Sequence, residues 1–191
     1  MVRCALFESM INYNSRNGKS TTRTIRIPQK LDSLLEKDAD NKRVSTNSLI
    51  SSIITKYAEW DRYSELLQFV SLPPDMLKLF VESLEDEKII EIGRQLASRH
   101  VQEFIMFWYK KISLSTFFDA MALSCRYGGM AKYEMEKTEE RTFIVTMHHN
   151  LGIKWSKFLQ CLLDEGLKKT FKVNPEFHIT ESSVIFQIFV P

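Results

Sequence analysis

The chain has 191 residues, 44% hydrophobic and 12% aromatic, with 26 Lys/Arg against 24 Asp/Glu for a net charge of +2. That apolar content is enough for one ordinary domain plus a small one, and six Gly and five Pro leave little room for low-complexity sequence. No apolar run reaches the ~18–20 residues of a membrane span, and three scattered cysteines (Cys4, Cys125, Cys161) argue against a disulfide framework.

The start, "MVRCALFESMINYNSRNGKS", lacks the long apolar stretch and small-residue cleavage site of a secretory signal, so a cytoplasmic location is expected. Charge is uneven. Residues 1–63 hold 11 Lys/Arg against 7 Asp/Glu, whereas residues 64–191 hold 15 against 17. Contact with a polyanion therefore belongs to the N-terminal third.

In chain order, residues 1–20 are polar and aperiodic and read as a flexible arm. "TTRTIRIP" alternates polar and apolar residues, a strand over 22–27 ended by Pro28, which suits the first position of a helix. Leu31, Leu34 and Leu35 then give helical spacing up to "DADNKR", where Asn41 suits a left-handed turn. Ser45 is a good cap for a second helix. Its stripe of Leu49, Ile50, Ile53, Ile54 and Tyr57 continues through Trp60, Tyr63, Leu67 and Val70. "SLPP" at 71–74 is the clearest break, which bounds a unit of residues 21–71 and a second of 72–191.

The second unit reads as helices over 75–84, 86–111 and from a cap at Ser113 to Gly128. Strands follow at 130–137 and 141–148, then a long helix capped by Asn150, then strands at 176–180 and 183–190. The expected fold class is α+β, with helices packed on an antiparallel sheet. The element order is similar to small-molecule-binding domains of the 4-vinyl-reductase type, a likeness of topology from which no residue role is carried over.

A six-residue strand followed by two helices has no partner for its backbone within its own unit. The simplest partner is the same strand of a second copy. The antiparallel ribbon so formed fits the major groove of DNA, with Thr22, Thr24 and Arg26 of each copy turned to base edges. "TRTIRIP" running into "QKLDSLLEKDA" and "RVSTNSLISSIITKYAEW", over residues 22–60, resembles the ribbon-helix-helix DNA-binding family of Arc- and CopG-type repressors.

That resemblance implies a β-α-α unit that dimerises and reads bases through Thr22, Thr24 and Arg26. It also implies a phosphate clamp at the start of the second helix, around Ser45, Thr46, Asn47 and Ser48, with Lys42 and Arg43 just before it and Lys19 in the arm. Its inter-helix turn, "DNKR", stands where a glycine is common in the family. The expected partners are double-stranded DNA and a second copy, with the larger unit sensing a small-molecule effector or building a higher oligomer. An antitoxin or a partition-type protein, whose larger unit binds a protein partner, is the competing expectation.

No catalytic motif is present, so an enzyme is the least expected class, and no cofactor is implied. The metal-ligand candidates are His148, His149 and His178, with His100, Cys125 and Cys161 coming from separate helices. None has close ligand spacing, and only one of the adjacent histidines can share a face with His178. The "HHN" helix start is a second candidate for holding an anion.

Overall fold

The computed structural model describes residues 21–138 and 141–189; the arm read over 1–20, with Lys19, lies outside them. The chain divides between Val70 and Ser71 into two compact units.

In the first unit, residues 21–28 have neither helix nor strand assignment and lead into α1 (Gln29–Asn41). The strand read over 22–27 is not formed by a single copy, since this unit offers it no second strand among the described residues. Pro28 is extended (φ −60°, ψ 141°) and serves as the cap residue of α1 instead of its first helical position. Its carbonyl accepts from the Leu31 and Asp32 amides at 2.9 and 3.1 Å.

Arg43, not Asn41, takes the left-handed conformation after α1, at φ 55°. The Val44 amide then reaches back to the Ala39 carbonyl (3.0 Å) and Arg43 to Asp40 (3.0 Å), a Schellman closure. Helix α2 (Thr46–Lys56) is capped as expected, the Ser45 Oγ accepting from the Ser48 amide at 3.1 Å.

A single wide π turn, Tyr57–Asp61, separates α2 from α3 (Arg62–Leu66). The extra residue it inserts rotates everything downstream off the α2 stripe. Trp60 is buried, but Leu67 and Val70 do not continue its face. Gln68 is left-handed (φ 54°), and Phe69 folds back to place its ring 5.5 Å from that of Trp60.

The second unit opens with α4 (Pro74–Glu82), α5 (Asp86–Tyr109) and α6 (Leu114–Gly128). A reciprocal capping box between Ser113 and Thr116 starts α6, and Gly129, at φ 69°, closes it. Then come β1 (Lys132–Lys137), β2 (Thr142–His148), α7 (Ile153–Phe171), β3 (Glu176–Ile179) and β4 (Ser183–Phe189). The four strands form one antiparallel sheet in the order β1-β2-β4-β3, the α+β arrangement expected.

Alternation decides the faces. Met135, Val145, Phe186 and Phe177 stand in one cross-strand row on the covered side. They pack with Leu159, Leu163 and Leu167, which follow one another at helical spacing along α7. Helix α5 lies against α7 where Gly93 meets Cys161 and Gly166 meets Val101. A β-carbon on Gly93 would fall 2.8 Å from that of Cys161, so the close approach of the two helices requires glycine there.

The long helix starts later than the sequence suggests. Gly152, at φ 84°, is its cap residue in place of Asn150. Leu151 is buried in the core, and the chain needs a left-handed turn after it before the helix can begin. No helix among the described residues is long and apolar enough to cross a membrane.

Candidate functional site

Thr22, Thr24 and Arg26 are all exposed in the single chain. Ile25, set between two of them, is 61% exposed, although it is the residue a ribbon would bury. The two helices that follow leave an apolar surface open. Leu34 is 62% exposed, Ile54 60% and Tyr57 55%, whereas only Ala39, Leu49 and Trp60 among the described residues of this unit are buried.

At the start of α2 the candidate phosphate site is partly committed. The Ser48 amide is donated to Ser45, and the two hydroxyls share a hydrogen bond of 2.8 Å. The Thr46 and Asn47 amides are the first of the helix and point outward from its end. Lys42 and Arg43 are exposed immediately before them, at the end of the preceding turn. Ser48 is therefore removed as an amide donor, and Lys42 and Arg43 stand exposed in the turn just before the helix whose first amides are those of Thr46 and Asn47.

The histidines do not converge. His148 ends β2 opposite Lys132 and Ser183, while His178 on β3 stands opposite Ile185. Both are on the uncovered face, but β4 separates them, and their rows are two residues out of step. Sheet spacing then puts them roughly 10 Å apart or more. His100 is exposed on α5 beside Glu103 (3.5 Å). Among the described residues no group of three or more His, Cys, Asp or Glu could hold a metal ion.

His149 turns inward, and both of its ring nitrogens are occupied. The Leu151 amide donates to Nδ1 (3.3 Å), so the proton sits on Nε2, which donates to the Ser156 Oγ at 2.9 Å. Ser156 in turn donates to the Thr180 carbonyl (2.5 Å). Burial, with a smaller contribution from His148, holds the His149 pKa below the ordinary range. The pair has the composition of a catalytic Ser–His couple but the wrong polarity: the imidazole gives its proton toward the serine and cannot act as its base.

Neither of the two described cysteines has a thiol favoured for ionisation. Burial pushes the Cys125 thiol up to about 12 and also raises that of Cys161. Asp119 on α6 is a feature that the sequence reading passed over; loss of solvent raises its carboxyl to about 6. Its signal is legible as one carboxylate inside the apolar run "TFFDAMAL". On the open sheet face, Thr142, Ile144, Gln187, Glu176 and Phe189 border a shallow depression of about 650 Å³. Its walls mix polar and apolar groups, and Gln187 is already hydrogen-bonded to Glu176.

No family model matches this sequence, and no curated protein matches it. Among solved structures the chain is similar to the H-NOX from Shewanella woodyi, in the solution structure with IWP-051 bound and in the Fe(II)CO ligation state. Identity is 14%, coverage is 98% of this chain and 85% of that chain, and the TM-score is 0.36, too loose a superposition to assign a shared fold.

Proposed function

We propose that the chain is a homodimeric, sequence-specific DNA-binding regulator of the ribbon-helix-helix type, in which residues 71–191 modulate the dimer and perform no catalysis. One observation carries this reading. The N-terminal unit, folded as a single copy, leaves Ile25, Leu34, Ile54 and Tyr57 more than half exposed and Ile53 49% exposed, while residues 22–27 have no strand partner among its described residues. A unit of this size is marginal in stability with so much of its apolar surface in water. Pairing two copies through residues 22–27 satisfies the backbone and covers that surface together.

In such a dimer Thr22, Thr24 and Arg26 line the outer face of the ribbon. Arg26 is suited to donate two bonds to a guanine, and the threonines offer a hydroxyl and a methyl. The Thr46 and Asn47 amides, with Lys42 and Arg43, hold flanking phosphates and so fix the register of the ribbon in the groove.

Selection of bound sequences from a random duplex pool, with full-length protein at two salt concentrations, tests the proposal. An enriched, repeated half-site is the expected result. Binding with no enrichment that fades steeply as salt rises would leave only attraction to the DNA backbone and overturn it.

A further inference from the structure

We infer that the turn from His149 to Gly152 is a proton-operated latch: a second proton on the His149 imidazole, taken from solvent at Nδ1, releases this turn while the sheet and α7 stay in place. The trigger lies in the polarity of the bonds. Nδ1 accepts from the Leu151 amide (3.3 Å) and Nε2 donates to the Ser156 Oγ (2.9 Å), so the neutral ring is fully used with its proton on Nε2. A protonated Nδ1 is a donor. It would face the Leu151 N–H, donor against donor, in a site where His149 is only 7% exposed. Nε2 keeps its bond to Ser156 in either state, so the whole conflict falls on the Nδ1 side, which is the turn.

The turn can move by itself because its surroundings are anchored by bonds that do not involve the imidazole. Ser156 donates to the Thr180 carbonyl, and Trp155 Nε1 to the Met130 carbonyl at 3.2 Å. Lys154 donates to the Glu82 and Leu84 carbonyls at the end of α4, and Lys157 pairs with Asp86. Asp86, held below the usual carboxylate range by its bond to Lys157, stays ionised while a histidine titrates. Within the turn, Leu151 is a core side chain and Gly152, at φ 84°, is a left-handed pivot. Release of the ring therefore withdraws Leu151 from the core by rotation about Gly152.

The charges around the ring do not hold a second proton on it. His148, next in the chain, repels a further positive charge, and Lys132 stands opposite His148 on β1. Glu181 lies in the turn between β3 and β4, Lys154 in the first turn of α7, and Lys78 and Glu82 of α4 sit beside Gly152. Neither ring nitrogen meets a carboxylate among the described residues, so the charged imidazole gains its partner by leaving for water.

Amide hydrogen exchange of the full-length protein, read by NMR from about pH 7.5 to about pH 4.5, tests the latch, each rate being divided by the free-peptide rate at the same pH. Asp119, whose carboxyl is raised to about 6, acts on overall stability with the opposite sign over this range, so local exchange separates the two groups where melting curves mix them. Protection of the Leu151 amide should fall about ten-fold per pH unit below about pH 6.5, until the folded imidazole itself titrates. The amides of Val145 and Phe186, in the two central strands, should keep theirs. In His149→Gln the Leu151 protection should lose this pH dependence. The ring signals of His149, followed in the same samples, report its protonation. Parallel loss at Leu151, Val145 and Phe186 would mean global acid unfolding and would overturn the latch. A charged imidazole with Leu151 protection unchanged overturns it too, as does an imidazole still neutral at about pH 4.5.

Discussion

The Nε2 of His149 lies 2.9 Å from the Ser156 Oγ, and that hydroxyl donates its own hydrogen bond to the Thr180 carbonyl. Three elements meet in this chain of bonds: the end of β2, the first turn of α7 and the end of β3. It is a clasp that fixes the long helix to the sheet. Removing the middle link strands a buried imidazole N–H and a carbonyl. Ser156→Ala should therefore destabilise the protein by roughly 1–3 kcal/mol, measured by denaturant unfolding at neutral pH. A loss within about 0.5 kcal/mol would show that the clasp is dispensable.

The same imidazole gives a pH dependence. Its folded pKa is depressed below the unfolded value of about 6.5, so the unfolded chain binds the proton more readily. The stability this group contributes is fully present above about pH 6.5 and is lost as pH falls through the folded pKa. Unfolding free energies of the native chain and of His149→Gln, compared from pH 8 downward, should differ most at high pH and converge in acid.

Asp119 has the opposite sign. Its folded pKa, about 6, is raised above the unfolded value, so the folded state favours the protonated carboxyl. Stability is lost as pH rises from the unfolded value through about 6, and at neutral pH the ionised group is a net cost. Asp119→Asn should raise the melting temperature at pH 7.5, and the gain should shrink as pH is lowered toward 4.

Gly93→Ala should be costly without adding any polar fault. The new methyl meets the Cys161 side chain at 2.8 Å and the Phe158 carbonyl at 3.1 Å, so α5 and α7 must separate. A destabilisation of about 1–3 kcal/mol is expected from calorimetry or denaturant melts.

At the proposed DNA surface the two arginines should behave differently. Arg26→Ala should cost about 1–3 kcal/mol of discrimination at one base pair of the selected site while leaving the dimer intact. Arg43 sits at φ 55°, where an L side chain is strained, so Arg43→Gly should leave the protein as stable or more so. It should nonetheless weaken binding to all sequences about equally and reduce the salt dependence, as loss of a phosphate contact does.

Much of the second unit was legible in the sequence because burial there follows simple periods. "SVIFQIF" and "TFIVTMH" alternate, and α7 repeats its leucines along one face, so the strands and the long helix fall within a few residues of where patterning places them. What escaped was set by tertiary packing. "YAEWD" has no mark of a π turn, yet one extra residue there moves Leu67 and Val70 off the stripe. The start of α7 is decided by burial of Leu151, which sequence alone cannot weigh against the capping tendency of Asn150. Alternation does limit a shared face with His178 to one of the two histidines; which one turns inward follows from the register of β2 with β4. At the candidate site, the alternation of residues 22–27 was readable, but the described residues of its own unit offer no second strand to pair with it.

Hydrogen exchange of the backbone amides at residues 22–27, in the full-length protein at concentrations where its mass is that of a dimer, tests the ribbon most directly. Alternate amides across this segment should be protected on the order of a hundred-fold or more over a free peptide, and Ile25→Asp should abolish the protection along with the dimer. Exchange of all these amides at free-peptide rates in a dimeric protein would mean that the segment pairs with nothing, and the proposed DNA-reading ribbon would not exist.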